Sequence, residues 1–409
     1  MAEQVLLKAK WLLDGTGAPP IEDAALLVRD GRVAAVGPRA AVPTPSGTEE
    51  IDLGSYTLLP GLIDAHVHLV GNSRPGSLAG TQHESDEWLL LRAAANAQAA
   101  LAAGLTTVRD CGGRGTLIIS LAKAIAAGMI PGPRIVSCGA PITTTGGHCY
   151  FLGLEAEGIE GVQRAVRQMH KAGADFIKVM VTGGGLTPGS NPRRSQYSLA
   201  ELQAIAEDAH RLGKRVAGHV HGTEGIRRAV AAGFDTLEHC SWLAAQGMER
   251  DYDEEIVQEI FRRGIYVCRT IAGFERVPLE EATPQHRLWP DYEVFRNMVK
   301  AGVQLIAGSD AGIDETPISE FAYTLETMAG FGGMSAKEVL ASATRVAAEA
   351  IGLADQVGTL EVGKRADAIA VEGNPLEDLR VLRQVAVVIR DGRIVARNGY
   401  VDRLNANAH

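Results

Sequence analysis

The sequence predicts an α/β protein, a (β/α)8 TIM barrel carrying a small β-sandwich module built from both chain termini. Three observations predict it. Between residues 57 and 309, short β-branched apolar runs alternate with longer Ala- and Leu-rich amphipathic stretches, the signature of repeated βα units around a parallel sheet. The helix-like stretches end at Gly104, Gly173, Gly213, Gly233, Gly264 and Gly302, each followed within a few residues by a strand-like run. A left-handed glycine at such a joint lets the chain leave a helix and turn back into the sheet. Asp-Gly hairpin signals stand near both ends of the chain.

In chain order, residues 1–55 read as short alternating strands, with an Asp30-Gly31 turn between residues 25–28 and 33–36. Eight barrel strands follow, at residues 57–66, 106–110, 134–138, 176–181, 215–219, 236–239, 265–268 and 304–309, and eight is the closing number for this barrel. An amphipathic helix spans residues 335–351 with Ser335 as its N-cap. Residues 361–400 return to short strands, with Asp391-Gly392 between residues 385–389 and 394–396. The expected division is a barrel at 57–354 and a β module from 1–56 and 355–409. A chain of 409 residues suits a barrel of roughly 250 to 300 residues plus a smaller module.

Apolar residues make up 46% and charged residues 22%, as in ordinary soluble globular proteins. A net charge of -9 without any basic stripe argues against nucleic-acid binding, which needs clustered Lys and Arg to neutralise phosphates. No run approaches the ~20 apolar residues of a membrane span, and residues 1–11 lack the apolar stretch of a secretion signal, so a cytoplasmic protein is expected. Cys111, Cys138, Cys149, Cys240 and Cys268 are an odd number without a CxxC pair and read as buried free thiols.

The chemistry concentrates at strand ends. His66 and His68 close the first strand as H-x-H, and alternate residues of a strand share a face, so both imidazoles can reach one ion. By itself that dipeptide pattern is weak. His219, His239 and Asp310 then close the fifth, sixth and eighth strands, placing five ligand-type residues on the rim where barrel enzymes collect catalytic groups. Imidazole with carboxylate suits Zn²⁺, Mn²⁺ or Fe²⁺. Lys178 is a charged residue inside the apolar fourth strand. Its burial cost is removed if it pairs with an acid, or if the amine is deprotonated and modified.

The array Pro60-Gly-Leu-Ile-Asp-Ala-His-Val-His68, Lys178, His219, His239 and Gly308-Ser-Asp310 resembles the amidohydrolase superfamily over nearly the whole chain. It looks most like the branch of Xaa-Pro dipeptidases, other dipeptide and N-acyl-amino-acid carboxypeptidases, and hydrolases of xenobiotic amides, carbamates and ureas. Residues 363–368, Gly-Lys-Arg-Ala-Asp-Ala, resemble that superfamily's C-terminal β segment. The resemblance implies two divalent ions, Zn²⁺ with Mn²⁺ or Fe²⁺ as alternatives. His66, His68 and Asp310 would hold one and His219 and His239 the other, with N6-carboxylysine at Lys178 as the bridge. It also implies a homo-oligomer.

In such a centre the ions sit about 3.5 to 4 Å apart and share a hydroxide that attacks the substrate. Asp310 is then expected to take the hydroxide proton and pass it to the leaving amine, as general base and then acid. His148, in Gly146-Gly147-His148, resembles the branch's Gly-Gly-His motif, in which the His polarises the scissile carbonyl. His221 shares a face with His219 and is a substrate-contact candidate, at a position where many dipeptidase relatives have Tyr. Arg193 and Arg194 in the loop 182–198, and Arg269 past the seventh strand, are candidates to clamp a substrate carboxylate. His83, His170, His210, His286 and His409 receive no role. The expected reaction is hydrolysis of an amide-like C–N bond in a dipeptide, Xaa-Pro included, or an N-acyl amino acid. The alternatives are a xenobiotic amide, carbamate or phenylurea hydrolase with the same centre and, behind it, a mononuclear deaminase or imidazolone hydrolase.

Overall fold

The structure, a computed structural model, describes residues 4–247 and 249–402, the side chain of Asp291 excepted. His409 and the last residues of the expected β module therefore lie outside the described residues.

The chain begins with β1 (Gln4–Leu12), β2 (Ile21–Arg29), β3 (Arg32–Pro38), β4 (Glu49–Asp52) and β5 (Thr57–Pro60). The parallel strands follow: β6 (Leu62–Val67), β7 (Leu105–Asp110), β8 (Arg134–Ser137), β9 (Ile142–Thr143), β10 (Leu154–Glu155), β11 (Ile177–Met180), β12 (Val216–Gly222), β13 (Thr236–Leu243), β14 (Tyr266–Thr270) and β15 (Leu305–Gly308). The last strands are β16 (Ala368–Val371), β17 (Val385–Arg390), β18 (Arg393–Arg397) and β19 (Tyr400–Val401).

The parallel strands form two sheets, β6-β7-β8 and β10-β9-β11-β12-β13-β14-β15. Backbone hydrogen bonds tie them together at both seams. Asp310 N donates to His66 O at 2.9 Å and His68 N to Ala311 O at 2.7 Å, while Asp175 N donates to Ser137 O at 2.8 Å. First and last strands are thus neighbours, in a TIM-barrel-like α/β arrangement with a C-terminal rim on which the candidate residues meet. The six expected glycine joints carry φ between 64° and 96°, left-handed as the turn back into the sheet requires.

Two expected elements are split. Gly61 divides the first predicted strand, because its N donates to Asp367 O at 2.9 Å and a Cβ there would sit 2.2 Å from Thr106 Oγ1. Residues 57–60 consequently pair with β1 and β16 rather than with the barrel strands. The predicted helix at 335–351 has its capping box at Ser335 and Glu338 but breaks into Ala336–Ser342 and Arg345–Ala350. Ile63 N takes the Ala343 carbonyl at 2.7 Å, which removes it from the helical ladder.

Strands from both termini join in one nine-stranded sheet, ordered β19-β18-β17-β16-β5-β1-β2-β3 with β4 beside β1. The expected sandwich of two sheets is a single sheet folded back on itself: Ala366 N donates to Gly31 O and Gly392 N to Ala366 O, both at 2.9 Å. The two Asp-Gly turns have positive φ at both central residues, the hairpin geometry their sequence calls for. Leu7, Leu26, Leu58, Ala368 and Ile389 pack in their shared core. All five cysteines are free and buried, and no helix among the described residues is long and apolar enough to cross a membrane.

Candidate active site

His66 and His68 leave the end of β6, Lys178 lies within β11, His219 and His221 close β12, His239 lies in β13, and Asp310 follows β15 by two residues. Together with His148 and Arg269 they line one cavity of about 330 Å³. The ring centroids form a continuous cluster: His66 lies 5.4 Å from His68 and 5.2 Å from His239, and His219 lies 4.4 Å from His239 and 4.6 Å from both His221 and His148. Among the described residues three groups have donor atoms within 4.8 Å of one another, and two of them consist of cavity-lining residues that could hold a cation, His66 with His68 and Asp310, and His219 with His221 and His239. His221 therefore joins the second group geometrically, alongside the two expected there. His239 and Asp310 hold left-handed backbones, φ 72° and 59°, a costly conformation for residues with a Cβ that clusters at functional sites.

The hydrogen bonds around these rings aim them. His66 Nδ1 lies 2.8 Å from Glu238 Oε2, and His68 Nδ1 lies 3.0 Å from Gly112 O. Both partners accept only, so each Nδ1 carries the proton. The Nε2 atoms then face Asp310 Oδ1 at 3.4 and 3.3 Å, that of His66 with its lone pair. A lone pair opposing a carboxylate is repelled, and a cation between them turns that repulsion into coordination. The His239 Nε2, His148 Nδ1 and Lys178 Nζ atoms are buried without a hydrogen-bond partner among the described residues. This donor set, with orphaned nitrogens converging on opposed acceptors, fits divalent metal.

Burial pushes the imidazoles of His66 and His148 down to about 4 and that of His221 to about 3, and takes His219 and His239 well below their usual value. These rings are neutral at pH 7, the form that ligates metal. Burial alone would also lower His68, but the Asp310 carboxylate outweighs it and leaves the ring raised. Asp310 is held well below the carboxylate range, because His66 and His68 outweigh the opposing effect of burial.

Arg193 and Arg194 fall outside the cavity lining. Arg193 donates to Ala244 O at 2.7 Å and Arg194 is exposed. Their loop instead buttresses His148, through Gln196 Oε1 accepting from His148 N and Thr187 Oγ1 from Cys149 N, both at 2.8 Å. Arg269 does line the cavity, but its guanidinium is paired with Glu275 at 2.6 and 3.3 Å. Sequence reasoning passed over Arg250, which also lines the cavity, and Thr270, whose Oγ1 lies 2.7 Å from His239 Nδ1. It also passed over Glu238 and Arg109, charged residues buried in apolar strands, the same signal that marks Lys178.

A TIM-barrel-like fold with a histidine-rich rim that could hold cations is a setting suited to metal-assisted hydrolysis. The chain belongs to the amidohydrolase family, whose pattern matches residues 57–395, and is a hydrolase acting on amide C–N bonds. It is 31% identical over 423 aligned residues to an ochratoxinase of Aspergillus niger, covering 95% of this chain and 85% of that protein. Among solved structures it is similar to A. niger ochratoxinase, at 29% identity and TM-score 0.85 over 100% of this chain and 99% of that one. It is similar also to a Xaa-Pro dipeptidase with methionine bound in its active site, at 29% identity and TM-score 0.82 over 98% of this chain and 100% of that one. The branch expected from the sequence is thereby borne out.

Proposed function

We propose that this chain hydrolyses the amide bond of dipeptides, Xaa-Pro included, or N-acyl amino acids at a centre of two divalent cations, preferably Zn²⁺. The observation that carries the reading is Lys178, 1% exposed and with no hydrogen-bond partner for Nζ among the described residues. An isolated ammonium there is costly. Attack of the neutral amine on CO2 forms an N–C bond, releases one proton and leaves a carbamate, which converts the repelling cation into a bidentate anion. His66, His68 and Asp310 would hold one cation, His219 and His239 the other, and carboxylated Lys178 both. Bound cations supply a water nucleophile ionised near neutral pH and polarise the scissile carbonyl. Asp310, ionised through its histidine neighbours, takes the proton of the attacking water on a carboxylate oxygen and returns it to the leaving nitrogen. His148, neutral and lining the cavity, donates a hydrogen bond to the substrate carbonyl oxygen.

Phe274, Val294, Phe295, Met298 and Ile313 line the same cavity and give it an apolar part. It suits a large uncharged side chain next to the scissile bond. A second reading, hydrolysis of xenobiotic amides, carbamates or phenylureas, draws on the Arg269–Glu275 pair, which leaves Arg269 already engaged. Two metals per chain, a CO2-sized adduct in the native mass, and turnover of N-acyl amino acids over N-aryl ureas support the first reading. Turnover of the ureas alone supports the second. One metal with unmodified Lys178 overturns both in favour of a mononuclear deaminase. The same proposal includes a (β/α)8 barrel within the expected 57–354, residues 57–60 being lent to the β module from 1–56 and 355–409, a homo-oligomer measurable by light scattering, and a cytoplasmic setting measurable by fractionation.

A further inference from the structure

Glu238 is fully buried in β13, one residue before His239, and gathers donors from three strands. Oε1 accepts from Arg109 Nη2 at 2.7 Å and from Thr236 Oγ1 at 2.9 Å, and Oε2 faces His66 Nδ1 at 2.8 Å. Arg109, 2% exposed in β7, is itself fixed: Nε donates to Ala65 O at 2.6 Å and Nη1 to Thr236 Oγ1 at 3.0 Å, and its guanidinium lies 5.3 Å over the Phe176 ring. A carboxylate paired with a guanidinium keeps its charge and can only accept, so the hydrogen on the shared axis must sit on His66 Nδ1. The group of His66, Glu238 and Cys268 also has its donor atoms within 4.8 Å, but a cation there would face the Arg109 guanidinium.

We propose that Glu238, anchored by Arg109, is a positioning residue that locks His66 in the Nδ1–H tautomer, so that its Nε2 lone pair is always presented to the cation beside Asp310. The metal consequence rests on the centre proposed above; the tautomer lock does not. Without the lock, an imidazole facing a carboxylate at 3.4 Å would turn its proton onto Nε2 to donate to Asp310, and the ligand atom would be lost. The Arg109–Glu238 pair thus holds the metal-free site in a conformation that is unfavourable for itself and complementary to a cation. Outer partners of this kind change metal affinity by about 10- to 100-fold.

The first measurement is on metal-free wild-type protein at pH 8, with ¹⁵N-labelled histidine. The expected spectrum shows His66 protonated at Nδ1 and bare at Nε2; protonation at Nε2 overturns the proposal. The second uses Arg109→Met with Glu238→Gln, which removes both charges at similar volume and leaves an amide able either to accept or to donate. The expected result is mixed His66 tautomers and Zn²⁺ affinity weaker by about 10- to 100-fold. Thr236→Val, which disturbs the same network without touching His66, should leave Zn²⁺ affinity unchanged. If the double variant binds Zn²⁺ like wild type, or if both variants lose affinity alike, Glu238 serves only the fold and the proposal fails. A correct tautomer in a protein that takes up no metal sinks the dimetal reading instead and leaves the lock intact.

Discussion

Gly184→Ala tests the role of His148 without altering a chemical group. A Cβ at Gly184 would stand 2.4 Å from both Cε1 and Nε2 of His148, and 2.8 Å from Cδ2. Ordinary contact begins near 3.4 Å, so the imidazole must retreat by about 1 Å. The backbone does not oppose the change, because Gly184 is not left-handed. A displacement of about 1 Å in a group that positions or polarises substrate costs about 10²-fold, or about 2.7 kcal/mol of barrier. The expected outcome is kcat/KM lower by about 10²-fold on the best substrate of the panel, with metal content and thermal midpoint near wild type. His148→Ala should lose at least as much, and adding Gly184→Ala to it should cost nothing more, because both act through one ring. A folded, metal-replete Gly184→Ala enzyme with wild-type kcat/KM, or two losses that simply add, would refute the assignment of the carbonyl contact to His148.

Three further outcomes are expected. Lys178→Ala should abolish the CO2-sized adduct in native mass spectra, lower the metal content, and reduce turnover by at least about 10³-fold, more than a single lost oxyanion donor. Arg194→Ala should leave KM within about twofold, as surface changes do, whereas Arg269→Met should raise KM for carboxylate-bearing substrates alone; an equal effect on neutral amides would show that it only repacks the cavity lining. Asp208 supplies the pH dependence. Burial raises its carboxyl, but Arg167 and Arg211 outweigh that and hold it below the usual range, so its contribution is present above the unfolded value of 3.8 and fades as pH falls through the folded one. Both guanidiniums are more than half exposed, so Asp208→Asn should cost only about 1 kcal/mol at pH 7 and less at pH 3. Thermal melts of metal-free protein read the difference, and an equal cost at both pH values would contradict it.

Much of the molecule is legible along the chain because local chemistry decides it. A left-handed glycine ends a helix wherever it stands, so the six joints found in the sequence are six joints in the fold. Period-two alternation aims His66 with His68, and His219 with His221, whatever their surroundings. Interactions across the sequence decided the rest. Gly61 divides a continuous apolar run because Thr106 and Asp367, distant in the chain, approach it. Ile63 breaks a well-patterned helix by taking the Ala343 carbonyl. The arginines of the loop 182–198 look available in sequence, yet the loop turns Thr187 and Gln196 toward His148, sends Arg193 to Ala244 and leaves Arg194 exposed. Residue types and strand ends therefore determined which groups ring the site. Long-range packing alone decided which partners hold those groups, because the Arg109–Glu238–His66 chain joins three strands whose separations in sequence no local pattern can measure.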